Sequence, residues 1–128
     1  MIEITTKPIS PEQVIKKVKT NGSGCVVTYV GLIRDFSHGK RVFYVEYRDS
    51  KRNAENVLQE IAAETRKRWQ LENLAISHRT GKLKVGEINL VVAIASAHRK
   101  EGFAACRYII NRFKQKLPTS KKETYLEI

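Results

Sequence analysis

Residues 87–97, EINLVVAIASA, form a nearly unbroken apolar run rich in β-branched side chains. The run is well short of the about 18 residues needed to cross a bilayer. An apolar run of this length and composition reads as a strand buried inside a sheet. It leads directly into residues 99–117, where Phe103, Cys106, Ile109, Ile110, Phe113 and Leu117 recur at helical spacing. A buried strand feeding an amphipathic helix calls for a sheet with helices laid on it.

The rest of the chain agrees with that plan. Ser10-Pro11-Glu12-Gln13 reads as a capping box with proline at the first helical position. Val14, Ile15 and Val18 give the short helix its apolar face, and Asn21-Gly22 ends it. Residues 24–35, GCVVTYVGLIRD, read as a strand. After a turn at Ser37–Lys40, residues 41–48, RVFYVEYR, read as a second strand antiparallel to the first. Residues 51–69 carry Ala54, Val57, Leu58, Ile61, Ala62, Thr65 and Trp69 at helical spacing, with charges opposite. Residues 73–81, NLAISHRTG, read as a strand joined to the 87–97 strand by a turn around Lys84–Gly86. Pro118 cannot continue the last helix, and ETYLEI closes the chain as a strand. The order αββαββαβ predicts an α+β fold, a mostly antiparallel sheet with helices packed on it. At 128 residues it fits one domain spanning 1–128.

Composition narrows the partners. Lys and Arg number 24 against 13 Asp and Glu, a formal charge of +11. Such a field attracts anions and speeds their arrival. Phosphorylated small molecules, nucleic acid and acidic protein surfaces all qualify. The opening MIEITTKPISPEQ lacks the apolar core of a signal peptide, so a cytoplasmic location is expected. Cys25 and Cys106 sit far apart in apolar surroundings, outside any CxxC or Cys/His cluster. They read as buried thiols, and neither a metal site nor a cofactor is expected.

Several basic residues stand in unusual places. His98, Arg99 and Lys100 fall at the first turn of the last helix, where a cation is disfavoured by about 0.3–1 kcal/mol. A bound anion would reverse that sign. Otherwise these side chains reach into water, with Glu101 in partial compensation. Lys114 and Lys121 lie on either side of the Pro118 break. A helix end folded back into a strand would bring both to one pocket. Clustered cations lower a lysine's pKa and make it a usable acid or base. Lys116 flanks the apolar stripe on the other edge, so wheel position does not choose between Lys114 and Lys116, and a solvated basic face stays open. Arg34, at a strand end, is either an anion ligand or a partner of Asp35. His78-Arg79 reads as structural, and His38 as a solvent-facing turn residue. No phosphate-cradling loop and no Ser/His/Asp arrangement stands out.

Taken in order, GCVVTYVGLIRD, LAISHRTGKLKVGE, SAHRKEGFAACRYI and FKQKLPTSKKE resemble the large, catalytic subunits of molybdopterin synthase, the MoaE family. The resemblance runs from about residue 20 to residue 124. It implies an α/β hammerhead fold and a sulfurtransferase that converts cyclic pyranopterin monophosphate to molybdopterin. It implies a homodimer within a heterotetramer. The partner is a small ubiquitin-like carrier whose C-terminal Gly-Gly thiocarboxylate supplies the sulfur. Carried onto this sequence, it makes Lys114 and Lys121 the catalytic lysines and Arg34, His98 and Arg99 the anion-binding residues. Three features depart from the family, one being Asn111 at a position that is often acidic. Thr119-Ser120 replace an apolar residue and a tryptophan before the second lysine, and longer members continue past the strand where this sequence stops. These departures leave a carrier-docking paralogue without catalysis as an alternative. An RNA-binding α+β domain rests on charge alone, and the chain lacks an RNP-type aromatic strand and a GXXG loop.

Overall fold

The computed structural model describes residues 1–126. In chain order the elements are β1 (Ile2–Thr5), α1 (Pro11–Val18), β2 (Cys25–Leu32), β3 (Phe36–Ser37), β4 (Lys40–Arg48), α2 (Ala54–Arg68), β5 (Asn73–Arg79), β6 (Gly81–Lys84), β7 (Ile88–Ser96), α3 (Arg99–Lys116) and β8 (Ser120–Tyr125). They form two sheets. One has the order β1-β5-β7-β2, and the other joins β3, β6 and β8 around β4. The fold is α+β with mostly antiparallel pairing, as the sequence predicts.

The apolar run occupies the interior strand β7, paired antiparallel to β2 and β5. Its side chains alternate between two cores. Leu90, Val92 and Ile94 pack with Leu58, Ile61, Ile109 and Phe113 beneath α2 and α3. Val91, Ala93 and Ala95 face the other way and pack with Val14 and Val18 of α1. Burial on both faces explains why the run lacks the polar alternation of a half-exposed strand. Burying a side chain such as Ile94, which has 0% exposure, contributes about 1.5–3 kcal/mol. The α1 cap forms as expected, with the Ser10 hydroxyl accepting from the Gln13 N–H at 3.4 Å.

Several expectations are corrected. The N-terminal residues form β1, which pairs parallel to β5 and turns Ile2 and Ile4 toward the main core. Strand β4 is not antiparallel to β2. It pairs with β3, β6 and β8, because the turn at His38-Gly39 (φ 52° and 75°) closes a tight local hairpin from β3 into β4. The expected 73–81 strand stops at Arg79. Gly81, at φ 99°, redirects the chain into β6 of the second sheet. The closing strand starts earlier than expected, at Ser120. Glu127 and Ile128, placed in it by sequence, lie outside the described residues. No helix among the described residues is long and apolar enough to cross a membrane.

Helices α2 and α3 are tied by a carboxylate. Glu64 accepts hydrogen bonds from the Tyr108 hydroxyl at 2.8 Å and the Arg112 Nε at 3.0 Å. Lys116 Nζ approaches the same carboxylate at 3.4 Å and Glu60 at 3.1 Å. The bond from Arg112, then that from Tyr108, hold the Glu64 carboxyl down at about 2, against an ordinary 4.5. A depressed acid stabilises the fold fully above its unfolded value and loses that contribution as pH falls toward its folded value. Glu64→Gln is therefore expected to flatten the decline in stability between pH 4.5 and about 2. Urea midpoints across that range check this, and parallel curves for the two proteins would contradict it.

Candidate functional site

The end of α3 determines where the two lysines go. Helical hydrogen bonding stops at Leu117, whose N–H still donates to the Phe113 carbonyl at 2.8 Å. Leu117 itself adopts the left-handed region, at φ 30°. Pro118 follows and prevents a further turn. The chain reverses here and enters β8, where Lys121 lies opposite Tyr47 of β4. Lys114 and Lys121 thereby line one cavity of about 350 Å³.

Arg34, just past the end of β2, lines the same cavity. Among the described residues it makes no ion pair with Asp35. The remaining wall comes from Tyr29 and Gly31 of β2, Ser37 of β3, Tyr47 of β4, Asn89 of β7 and Glu123 of β8. Gly31 has a reason to be glycine here. A Cβ would lie 2.7 Å from Asn89 Oδ1 and 3.2 Å from the Tyr29 ring.

Lys116, which wheel position does not distinguish from Lys114, is held on the other side of α3 by Glu60 and Glu64. One carboxylate, Glu123, lines the cavity with Lys114, Lys121 and Arg34 and accepts from Ser37 Oγ and Tyr125 Oη, each at 3.1 Å. Burial works to raise the Glu123 pKa. The bonds from Ser37 and Tyr125 and the charges of Lys121 and His38 outweigh it and hold the carboxyl below the usual range. His38 is otherwise exposed, with its Nε2 3.7 Å from Glu123. The single carboxylate leaves the cavity, with its three cations, net positive.

His98 and Arg99 are not part of this cavity within one chain. Both are exposed at the N-terminus of α3, and His98 lines a separate cavity of about 290 Å³ with Gln70, Glu72 and Glu101. At about 1.5 Å rise per residue, the helix puts about 22 Å between Arg99 and Lys114.

Below the cavity floor lies His78, with 0% exposure. Its Nδ1 is 2.8 Å from the backbone oxygen of Asn89, and its Nε2 is 2.8 Å from Thr119 Oγ1. Burial lowers its pKa, only partly opposed by the bond to Asn89, so the imidazole is neutral. Arg79 pairs instead with Glu87. Both residues take the structural role their sequence suggests. The thiol of Cys106 is pushed up to about 11 by burial, as befits an inert core residue. No group of three or more metal-ligating side chains occurs among the described residues.

Sequence reasoning missed Tyr47, Asn89, Glu123 and the His78–Thr119 pair. Tyr47 and Asn89 carry no linear signal, because pairing between distant strands brings them together. Glu123 lies within the quoted KKE ending, where its charge was the available clue.

A profile of the MoaE protein family matches residues 4–116. The molybdopterin synthase catalytic subunit of Bacillus subtilis is 40% identical over 123 residues, covering 96% of this chain and 78% of that one. A crystal structure of molybdopterin synthase from Staphylococcus aureus superposes with a TM-score of 0.91 at 32% identity, covering 98% of this chain and 92% of that one. A chain from a Helicobacter pylori complex of subunits 1 and 2 of molybdopterin-converting factor shares the fold, with a TM-score of 0.77 at 14% identity, covering 98% and 90%.

The left-handed residue between the two lysines makes a direct prediction. A β-branched side chain resists this conformation, so Leu117→Val is expected to cost about 1–2 kcal/mol. Leu117→Gly, which accepts it freely, is expected to stay within about 1 kcal/mol of the parent. Urea denaturation of both variants checks the ranking.

Proposed function

The chain belongs to the MoaE family, the catalytic subunits of molybdopterin synthase, and from that premise we propose that the cavity between α3, β8 and the end of β2 is its sulfur-transfer site. The substrate is cyclic pyranopterin monophosphate. The sulfur donor is the C-terminal Gly-Gly thiocarboxylate of a small ubiquitin-like carrier. The observation that supports this reading best is the convergence of Lys114, Lys121 and Arg34, from three separate elements, on one cavity.

The chemistry needs such a site. Both reactants are anions, and bringing them together is repulsive unless cations neutralise the approach. The thiocarboxylate sulfur bonds to an electrophilic carbon of the pyranopterin as a C–O bond at that carbon breaks, the oxygen leaving with the electron pair and taking a proton. Water then adds to the carrier carbonyl, the acyl–sulfur bond breaks, and the carrier leaves as a carboxylate while the sulfur stays on the product. Negative charge builds on the carbonyl oxygen as water adds. The ammonium groups of Lys114 and Lys121 stabilise that charge and pass protons. Arg34 suits the phosphate, which a planar guanidinium grips through paired hydrogen bonds.

Residues 1–128 act in this reading as one domain, within a homodimer that carries a carrier at each end. The Helicobacter pylori relative in fold was solved as a protein–protein complex of two subunits, which suits a carrier-binding role. His98 and Arg99 stand too far from Lys114 to share its ligand within one chain. A second copy is the geometry in which that basic pair serves the same substrate.

A reconstituted assay with thiocarboxylated carrier and substrate tests the reading. Lys121→Ala and Lys114→Ala are each expected to lower turnover by about 10²-fold or more, with circular dichroism unchanged. Lys116→Ala, whose amine is held by α2, is expected to stay within about twofold. Undiminished turnover in Lys121→Ala would overturn the assignment.

A further inference from the structure

We propose that His78 is a positioning residue for the catalytic lysines, acting through its hydrogen bond to Thr119. This rests on the reading of Lys114 and Lys121 as the working residues. It goes beyond that reading by assigning a function to a buried imidazole outside the cavity and to the buried threonine bonded to it.

The hydrogen-bond roles follow from the atoms. A backbone carbonyl only accepts, so the proton of the neutral imidazole sits on Nδ1 and is donated to the Asn89 carbonyl at 2.8 Å. That leaves Nε2 as an acceptor, and the Thr119 hydroxyl donates to it at 2.8 Å. Thr119 is itself buried, at 4% exposure. It lies between the left-handed Leu117 and Ser120, the first residue of β8 paired to β4. Within this stretch Pro118 has no N–H to offer. The Thr119 hydroxyl is thus a side-chain tie across the reversal that carries Lys121.

The imidazole ring packs against a neighbour of each lysine. One edge meets Phe113, the residue before Lys114, with ring centroids 5.0 Å apart. Another meets Tyr47, the cross-strand partner of Lys121, at 5.1 Å. The Tyr47 hydroxyl accepts from the Asn89 side-chain amide at 3.0 Å, and the Asn89 backbone oxygen receives the His78 proton, which closes the network. An apolar residue of similar shape would fill this space without burying two polar nitrogens. What histidine adds is direction, one bond fixed to β7 and one to the segment bearing Lys121.

Thr119→Val keeps the shape and removes the donor, and Thr119→Ser restores the donor. In the reconstituted assay Thr119→Val is expected to lower kcat about tenfold or more at unchanged KM, as misplacement of a catalytic group does. Thr119→Ser is expected to return to within about twofold. A readout independent of turnover is the acetylation rate of Lys121 relative to Lys122, which points to the other face of β8. Mass spectrometry of the intact variants should show that ratio shifted in Thr119→Val and restored in Thr119→Ser. Wild-type kcat and an unchanged ratio in Thr119→Val would overturn the inference. So would a lowered melting temperature as its only effect. A shifted ratio with undiminished turnover supports the positioning and removes the catalytic reading of Lys121. If Thr119→Val fails to fold, the smaller truncation Thr119→Ala carries the same comparison.

Discussion

Leu90, Val92 and Ile94 point to one face of the central sheet and Val91, Ala93 and Ala95 to the other, so β7 must be covered on both sides. That requirement organises the molecule. The larger side chains take the two long helices and the alanines take the short α1, which can approach closely. Strands β5 and β2 complete the backbone hydrogen bonding of β7 on its two edges. Helix α3 leaves the end of β7 with almost no intervening loop, so its direction is set by the sheet it lies on. Every later placement, including that of Lys114, inherits this direction.

The second constraint is the stop at the other end of α3. A helix continuing past Leu117 would carry Lys121 away from Lys114. The left-handed Leu117 and Pro118 turn the chain back instead, and pairing with β4 fixes the register that sets Lys121 opposite Tyr47. Charge is sorted at the same time. The carboxylates of α2 hold Lys116 on one side of α3, and Lys114 remains for the cavity on the other. Glu60 and Glu64 thus decide which of the two α3 lysines is left to line the cavity.

The legible parts of the sequence are those governed by local physics. The β7 run, the Cys106, Ile109 and Phe113 part of the α3 stripe and the Ser10 cap depend on residues a few positions apart and appear where expected, whereas Phe103 and Leu117, also expected in the stripe, are exposed. The partition into two sheets was not legible. It depends on Gly81 switching the chain between them and on a tight turn at His38-Gly39, neither of which announces its partner strand. Strand β1 is short and half-buried, with little alternation to read. At the site, Lys114, Lys121 and Arg34 stand out as cations beside chain reversals. Their neighbours Tyr47 and Asn89 do not, because residues 42 positions apart meet only once both sheets exist. The contrast between Lys114 and Lys116 was invisible for the same reason, since Glu60 and Glu64 on another helix decide it.

The pairing of β4 with β8 joins residues near 45 to residues near 122. Contacts this distant in sequence are slow to form, because a long loop must close before they contribute. Lys121 is fixed by that pairing, so the positive cavity is absent until residues 120–125 have left the ribosome and docked. A nascent chain whose central sheet and three helices have formed still lacks the β8 wall of that cavity. Lys121 is therefore the last of the cavity's three cations to be fixed in place.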